Sequence, residues 1–107
     1  MASNFKSYVS SGIGTSNTTI ITSTASTTII GCSLANVASV AIYASAYVQK
    51  SGGGTAYIVK TAPIPVGGAL VVVGGDQKIV LEVGDMIKVI SDTVGSVDSL
   101  TSTLEIS

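Results

Sequence analysis

Short apolar runs separated by glycine-rich turns fill the chain from end to end. Threonine, valine, isoleucine and serine dominate these runs, and such residues favour strands over helices. No stretch of about 12 residues combines a 3.6-residue apolar period with good helix formers. Because turn signals recur about every 8–12 residues, the pattern is typical of a sandwich or a small barrel. We therefore expect an all-β fold: a single antiparallel β-sandwich, jelly-roll-like or a small barrel, of about seven to eight strands.

The limits of the apolar runs place candidate strands along most of the sequence. Eight of them lie at residues 18–22, 27–34, 38–50, 55–61, 69–73, 78–83, 86–91 and 99–106, and residues 4–9 are a further candidate. Residues 38–50 alternate most regularly, with an apolar face opposite a face that carries Tyr43 and Tyr47. We expect the apolar face of this strand to pack in the core.

Two later segments also alternate. In residues 78–83 the pattern directs Ile79, Leu81 and Val83 inward. The last strand has an apolar face and a polar face. These hold Leu100, Leu104 and Ile106 on one side and Thr101, Thr103 and Glu105 on the other.

Two prolines, Pro63 and Pro65, interrupt the pattern between these strands. Each lacks the N–H that a strand donates to its neighbour. We expect residues 62–68 to form a crossover or an edge segment.

A chain of 107 residues fits one domain, so we expect residues 1–107 to form a single β-sandwich. Residues 1–15 are a candidate N-terminal arm that contacts a neighbouring subunit. Only 10% of the residues are charged, whereas an average soluble domain has about 25%. Because a free monomer usually keeps more charge for solubility, this composition indicates a domain that works within an assembly.

Charge is distributed unevenly along the chain. Residues 1–75 contain three of the five lysines and no acid, and residues 76–107 contain two lysines and all six acids. One interpretation is a set of solvated side chains on exposed strand faces. The other is head-to-tail assembly, in which the basic part of one copy meets the acidic part of the next.

The composition excludes most catalytic and ligand-binding arrangements. Histidine and arginine are absent, so Ser-His-Asp, Cys-His and histidine–metal sites cannot form. Cys32 is the only cysteine and lies in an apolar run, so we expect a buried, inert thiol. The glycine runs lack phosphate-binding patterns, and five scattered lysines with an acidic pI do not favour nucleic-acid binding. We expect no enzyme activity, no catalytic residues, no cofactor and no metal.

The acidic residues are the remaining candidates for chemistry. We expect five of them to be solvated, because each lies at a turn or at an outward position of a strand: Asp76, Glu82, Asp85, Asp92 and Asp98. A catalytic carboxylate pair is one alternative. A calcium site built from Asp85 or Asp92 with loop carbonyls is another, although the spacing matches no calcium-binding loop.

Aromatic residues are the best candidates for a contact surface. Tyr43 and Tyr47 lie four residues apart in one strand, so they share a face. Tyrosine suits interfaces because it buries a large area and keeps a polar tip. The alternative is a central strand that is buried on both faces. Phe5 and Tyr8 complete the set of candidate interface residues.

Several longer segments of the sequence resemble those of a known protein family. They are Thr-Ile-Ile-Gly-Cys-Ser-Leu-Ala-Asn-Val at residues 28–37, Tyr-Ile-Val-Lys-Thr-Ala-Pro-Ile-Pro at 57–65, and Gly-Gly-Asp-Gln-Lys-Ile-Val-Leu-Glu-Val-Gly-Asp at 74–85. Ser-Asp at 91–92 and Leu-Glu-Ile at 104–106 close the series. Together they resemble small virion structural proteins of tailed bacteriophages, especially those of cyanobacterial and marine hosts. Residues 1–27 match nothing in that family.

The resemblance implies a β-sandwich that decorates the capsid, as a cement protein, or lies at the neck or tail. It implies the major capsid protein or other virion proteins as partners, in a symmetric homo-oligomer assembled in the host cytoplasm. It brings no catalytic residues. No basic start precedes an apolar run at the N-terminus, and no apolar run reaches about 18 residues, so neither a signal peptide nor a membrane helix is expected.

Other functions remain open at this point. The protein could be a neck, tail or fibre-associated virion protein. It could instead be an adhesion module that binds glycans through Tyr43, Tyr47 and the acidic loop around Asp92. A hydrolase that uses Asp85 and Asp92 is the third alternative.

Overall fold

Nine β-strands and no helix make up residues 3–74 and 76–106, which are the residues that the computed structural model describes. The strands are β1 (Ser3–Ile13), β2 (Thr18–Thr22), β3 (Ser26–Asn36), β4 (Ile42–Gln49), β5 (Thr55–Ile64), β6 (Ala69–Val73), β7 (Ile79–Leu81), β8 (Met86–Ser91) and β9 (Val97–Ile106). They form two antiparallel sheets around one core, so the predicted all-β sandwich is confirmed.

Strands pair from the two ends of the chain towards its middle. In the first sheet β1 pairs with β9, β9 with β3, and β3 with both β6 and β7. In the second sheet the order is β2, β8, β4 and β5. The first strand thus meets the last, the second meets the eighth and the fourth meets the fifth, which is the nested pairing of a jelly roll. Because β6 and β7 pair with different halves of β3, nine strands fill eight sheet positions.

The core between the sheets is aliphatic at its centre. The largest fully buried aliphatic side chains include Ile29, Leu34, Ile42, Ile64, Leu81 and Ile87. Alternation in β4 buries Ala44 and Ala46 beside Ile42, as the pattern predicts. Each large side chain of this kind contributes about 1.5–3 kcal/mol when it leaves water, so these positions hold the two sheets together.

The last strand, β9, turns its polar face to the core. Its buried polar residues are Ser99, Thr101, Thr103 and Glu105. The Thr101 hydroxyl donates a hydrogen bond to Sγ of Cys32 at 3.4 Å, and the Thr103 hydroxyl donates to the Lys6 carbonyl at 3.4 Å. Threonine methyl groups can therefore pack inside while the hydroxyls keep partners. As a result, Leu100, Leu104 and Ile106 lie on the outer side of β9, where Leu100 is 51% exposed, and Val97 is the apolar residue of this strand that is buried.

Strand boundaries follow the sequence pattern in part: β1 (Ser3–Ile13) and β5 (Thr55–Ile64) extend beyond the predicted 4–9 and 55–61, and β7 (Ile79–Leu81) is shorter than 78–83. The predicted bounds are confirmed for residues 18–22, 69–73 and 86–91. The predicted strand 38–50 begins only at Ile42, because the buried Asn36 side chain holds the preceding residues in a loop. Its amide nitrogen donates to the Val40 carbonyl at 2.9 Å, and its amide oxygen accepts from the Ala38 N–H at 2.8 Å.

Two expectations about individual residues have opposite outcomes. Pro63 lies inside β5, which is an edge strand of the second sheet, so the edge alternative is confirmed. There the missing N–H of proline removes no pairing with a second neighbour. The prediction that Val83 points inward is wrong, because β7 ends at Leu81 and Val83 is 63% exposed in the turn before β8.

The candidate N-terminal arm contains β1. Its described part pairs with β9 of the same chain from Ser3 opposite Ile106 to Ser10 opposite Ser99. Met1 and Ala2 lie outside the described residues. A contact of this segment with a neighbouring subunit stays a prediction.

Candidate functional site

The outer face of the first sheet carries a band of exposed apolar side chains. We call it the apolar face, and it consists of Phe5, Val9, Val71, Val80, Leu100, Leu104 and Ile106. Cross-strand pairing places Phe5 opposite Leu104 and Val9 opposite Leu100. Phe5 and Val9 are each 77% exposed, and Val71 is 67% exposed. Residues of four strands thus place apolar side chains on one side of this sheet, and Thr28 and Ser33 of β3 lie between those of β9 and those of β6 and β7.

Two open depressions lie on this face. One has a volume of about 210 Å³ and is lined by Gly31, Ser33, Val71, Leu100 and Ser102, among others. The second, of about 370 Å³, lies beside Phe5, Ser7 and Ile30. Gly31 contributes to the first depression, since a Cβ added there would meet only a carbonyl oxygen, at 3.7 Å, and the small side chains of Ser7 and Ser102 line the second. Side chains of a partner could pack into these two depressions.

The chemistry of the apolar face suits a protein partner. Serine side chains lie between the apolar ones on this face. Ser7 is opposite Ser102, and Ser33 is opposite Leu100. A contiguous exposed apolar surface on a stable domain usually marks an interaction site. Its burial would be favourable by about 25 cal/mol for each Å² that leaves water.

The outer face of the second sheet has a different character. We call it the tyrosine face, and it consists of Tyr43, Tyr47, Tyr57, Lys60 and Lys88. Tyr47 lies opposite Tyr57 on β5 and opposite Lys88 on β8. The rings of Tyr47 and Tyr57 are tilted by 57°, with centroids 5.4 Å apart. The Lys60 ammonium lies 5.3 Å from the centre of the Tyr57 ring.

The tyrosine face decides between the two interpretations of the β4 pattern. β4 is a central strand, yet its outer side is not covered, because Tyr43 is 48% exposed and Tyr47 is partly exposed. Burial of this strand on both faces is therefore not what the structure shows. Contact with a partner through these tyrosines stays a prediction.

The four predicted interface residues do not come together. Tyr43 and Tyr47 lie on the tyrosine face, and Phe5 lies on the apolar face on the opposite side of the sandwich. Tyr8 lies on neither outer face. It alternates with Phe5 along β1 and packs partly against the core.

Tyr8 belongs to a small polar cluster at the edge of the core. Its hydroxyl donates a hydrogen bond to Glu105, and the Lys6 ammonium lies 3.4 Å from the same carboxylate. The hydrogen bond from Tyr8, followed by the contact with Lys6, lowers the pKa of Glu105, which is only 7% exposed. The same hydrogen bond, with partial burial, raises the pKa of Tyr8. The cluster joins β1 to β9 and presents no open site.

A second polar cluster corrects the expectation for Asp85. It follows a turn as predicted, but it is fully buried rather than solvated. Its carboxylate accepts hydrogen bonds from the Lys50 ammonium, from the Ser51 N–H at 3.0 Å and from the Glu82 N–H at 2.9 Å. The bond from Lys50 is the largest cause that lowers the pKa of Asp85, and in return it raises the pKa of Lys50.

This cluster fastens the loop after β4 to the turn before β8. Gly84 has a φ of +91°, a conformation that glycine adopts readily. A Cβ there would also lie 2.8 Å from Cβ of Ser51. The turn therefore requires glycine, and the role of Asp85 that the contacts support is structural.

The hydrolase alternative built from Asp85 and Asp92 does not fit the separation of these two residues. β8 lies between Asp85 and Asp92, so the two residues are about 20 Å apart at about 3.3 Å per residue. Paired glycosidase carboxylates lie within about 5–9.5 Å of each other. Within residues 3–74 and 76–106, no cluster of three or more potential metal ligands occurs.

Cys32 is buried as predicted, with 2% exposure. Burial is the main reason that the pKa of its thiol is raised, and the hydrogen bond from Thr101 acts in the opposite direction. A protonated, buried thiol is a poor nucleophile.

Most of the apolar face escaped sequence reasoning. Val9 and Val71 resemble ordinary core residues of strands, and their exposure depends on which side each strand presents. Val80 is different, because alternation in residues 78–83 predicts that it points outward, and its 65% exposure confirms this. The available signal was in β9, where the face opposite Leu100 holds two threonines and a glutamate. Tyr57 was missed because its position opposite Tyr47 follows from the register of the β4–β5 hairpin.

Comparisons with known proteins leave the chain without a family assignment. No protein-family model matches it, and a search of curated proteins finds no match. Within the part of the chain that the structure describes, no helix is long and apolar enough to cross a membrane.

Proposed function

We propose that the protein is a structural component of a tailed-phage virion, a decoration or cement protein that binds the capsid through its apolar face. The observation that carries this proposal is the exposed apolar face itself, with Phe5, Val9 and Val71 each at least two-thirds exposed. Such a surface is unfavourable in water, and a partner that covers it would remove the cost. The resemblance to small virion proteins supplies the kind of particle.

The rest of the molecule suits a structural role that requires rigidity and no chemistry. Nearly every segment is a strand with antiparallel partners, and the buried polar clusters fasten loops and edges. Partners of this protein are the major capsid protein or other virion proteins, and the subunit is a homo-oligomer in a symmetric assembly. Repetition over a symmetric shell strengthens a modest contact, because many copies bind neighbouring sites together.

Isolation of the particle tests the proposal. We expect purified virions to contain this protein, as detected by mass spectrometry, and its absence from virions would end the proposal. Copies in the hundreds indicate the capsid, whereas a few dozen or fewer indicate the neck, tail or fibre. Quantification against the major capsid protein distinguishes these places.

The tyrosine face supports a second candidate, an adhesion module that binds glycans. Tyr43 and Tyr57 are each about half exposed on a rigid sheet, with Lys60 and Lys88 beside them. Aromatic rings with polar neighbours suit amphipathic ligands such as sugars. However, Lys60 occupies one side of the Tyr57 ring, which reduces the surface open to a ligand.

A glycan array separates the two candidates. Binding by the native protein that disappears in Tyr47→Ala and persists in Val80→Ser supports adhesion. Absence of binding to the array and to host envelope fractions rejects it. The Val80→Ser variant is the matched control because it changes the opposite face of the sandwich.

A further inference from the structure

The four edges of the two sheets differ in how they limit contact with other strands. An edge strand exposes unpaired N–H and C=O groups, which can pair with another chain. Three strands at the edges are short: β2 and β6 have five residues each, and β7 has three. Only β1 and β5 provide long edges within the described residues.

β5 is protected against pairing. Thr61 has a φ of +52°, which distorts the strand, and its register with β4 shifts twice. Pro63 lacks an N–H, and Lys60 adds a charge nearby. Bulges, prolines and lysines are the usual means by which proteins prevent edge pairing.

β1 has little of this protection. It spans 11 residues, and from Ser3 to Ser10 its register with β9 is continuous. It contains no proline, and Lys6 is its only charged residue. Among the residues that the structure describes, no strand pairs with its other side. Phe5 and Val9 protrude beside this open edge.

The sequence of β1 is complementary to itself when it is read in the reverse direction. About Ser7 as centre, Ser3 corresponds to Ser11 and Asn4 to Ser10, so polar residues meet polar residues. Phe5 corresponds to Val9, and Lys6 corresponds to Tyr8. A self-complementary surface is what a two-fold symmetric contact requires.

We propose that β1 pairs with β1 of a second copy of this chain, antiparallel and centred on Ser7. Phe5 of each copy then lies opposite Val9 of the other, and aromatic–β-branched pairs of this kind favour strand association. Lys6 lies opposite Tyr8, so no like charges meet directly across the contact. The pairing satisfies backbone groups that a monomer leaves exposed.

Neighbouring registers match less well. Opposite residues must face the same side of the joined sheet, so the two-fold centre can move only by whole residues. A centre on Lys6 would place two lysines directly opposite each other, which is destabilising. A centre on Tyr8 would place Phe5 against Ser11 and Val9 against Ser7. Only the Ser7 centre pairs the two apolar residues.

The pairing would join the first sheets of both copies into one continuous sheet. The apolar faces would then meet along the Phe5 and Val9 side chains and form one surface of double width. This inference rests on β1 alone, so it does not depend on the proposed place in a virion.

The mass of the purified protein in solution tests the pairing. We expect light scattering to give twice the 10.6 kDa chain mass, or a multiple built from such dimers. The double variant Phe5→Lys with Val9→Lys places like charges across the contact, so its mass should fall two-fold to that of a monomer. The matched control, Val71→Lys with Val80→Lys, changes equally exposed residues away from β1 and should remain dimeric.

Two outcomes would overturn the proposal. One is a native protein that remains monomeric at concentrations of hundreds of micromolar. The other is a control variant that dissociates while the β1 variant stays dimeric, which would place the contact on the sheet face instead of its edge. Circular dichroism confirms that each variant keeps its strands.

Cross-linking tests the register and does not require a disruptive variant. In a Cys32→Ala background, Ser7→Cys should form an intermolecular disulfide, since opposite Cα atoms lie about 4.5–5.5 Å apart, within disulfide range. Ser10→Cys is the control, because its two copies would lie about 20 Å apart at about 3.3 Å per residue. Equal cross-linking of both variants, or of neither, contradicts the Ser7 centre.

Discussion

The strand pair β1–β9 and the strand pair β4–β8 are patterned in opposite ways. In β4 the apolar residues, such as Ala46, face the core and the tyrosines face outward, and in β8 Ile87 and Val89 face the core while Lys88 faces outward between Met86 and Ile90. In β1 and β9 the inner side carries Tyr8, Thr101 and Glu105, whereas the outer side forms much of the apolar face.

The difference indicates which side of the sandwich is built for contact. A sheet with one face in water normally alternates apolar-in and polar-out, as the tyrosines and alanines of β4 do. The reversed alternation in β1 and β9 leaves exposed apolar surface and places polar groups inside, which requires hydrogen bonds such as that from Tyr8 to Glu105. A partner on the first sheet would bury the exposed apolar side chains of β1 and β9, while their inner polar groups keep their hydrogen bonds.

The largest expected effect tests the reversal itself. We expect Leu34→Ala, in the core on β3, to reduce the free energy of unfolding by about 2–5 kcal/mol. Leu100→Ala, on the exposed side of β9, should cost less than about 1 kcal/mol in the isolated protein. Urea denaturation measures both. Equal losses would mean that Leu100 is buried and that the comparison is wrong.

Charge placed on the two outer faces should separate them next. We expect Val71→Asp with Leu100→Asp to weaken binding to particles that lack the protein by about 100-fold, about 2.7 kcal/mol, because a buried interface excludes unpaired charge. Tyr43→Asp, on the tyrosine face, should change binding by less than about three-fold, as surface changes outside a contact usually do. Co-sedimentation measures the affinity. A larger loss in the Tyr43 variant would reverse the assignment of faces.

Acid should act on β1 and β9 through Glu105. Its pKa is lowered in the folded protein, chiefly by the hydrogen bond from Tyr8, so its ionised form stabilises the fold above the ordinary carboxyl pKa of about 4.3. This stabilisation is lost as the pH falls through the lowered value. We expect weaker protection against amide exchange in β1 and β9 below about pH 4, relative to the unprotected rate at the same pH, and Glu105→Gln should remove that acid dependence.

Asp85→Asn is the matched control for the acid experiment. The pKa of Asp85 is also lowered, chiefly by Lys50, so the sign of its contribution is the same. Its contacts, however, lie at the loop after β4 and the turn before β8. Its substitution should change exchange there and leave the acid response of β1 and β9 intact. If both variants act on the same strands, the two clusters are coupled.

The smallest effect concerns the ring pair on the tyrosine face. A double-mutant cycle with Tyr47→Leu and Tyr57→Leu should give a coupling free energy of about 0.5–1.5 kcal/mol, typical of aromatic pairs. Lys60→Gln should cost about 0.5–1 kcal/mol through the lost contact with the Tyr57 ring. Thermal denaturation is sufficient to measure both. A coupling near zero would mean that the rings contribute only their separate areas.

Much of the fold could be predicted because strand signals are local. The bounds of β2, β6 and β8 follow directly from short apolar runs between turn residues. The start of β4 could not be predicted, since it depends on Asn36 reaching the carbonyls of Val40 and Ile64. A side chain that binds backbone 28 residues away leaves no local signal.

The candidate site was predictable only in part. Tyr43 and Tyr47 share a face by alternation alone, and their exposure agrees with one of the two interpretations of that pattern. Phe5 and Tyr8 were both candidate interface residues, but odd and even positions of one strand face opposite sides, so they lie on different sides of the sheet. The prediction that Asp85 is solvated was wrong. The sequence shows only that Asp85 follows a turn, whereas the ion pair that allows its burial comes from Lys50 in the distant loop after β4.

The sequence by itself determined the strand class, the main strand segments, the alternation within each strand and, through the absence of histidine and arginine, the chemistry that is excluded. The tertiary structure decided which face of each strand meets the core. Alternation defines two faces but not their direction, because that direction depends on the partner sheet. In the jelly roll β1 pairs with β9, although the two strands lie at opposite ends of the chain. In this arrangement Thr101 faces the core and Leu100 faces outward, and the apolar face results.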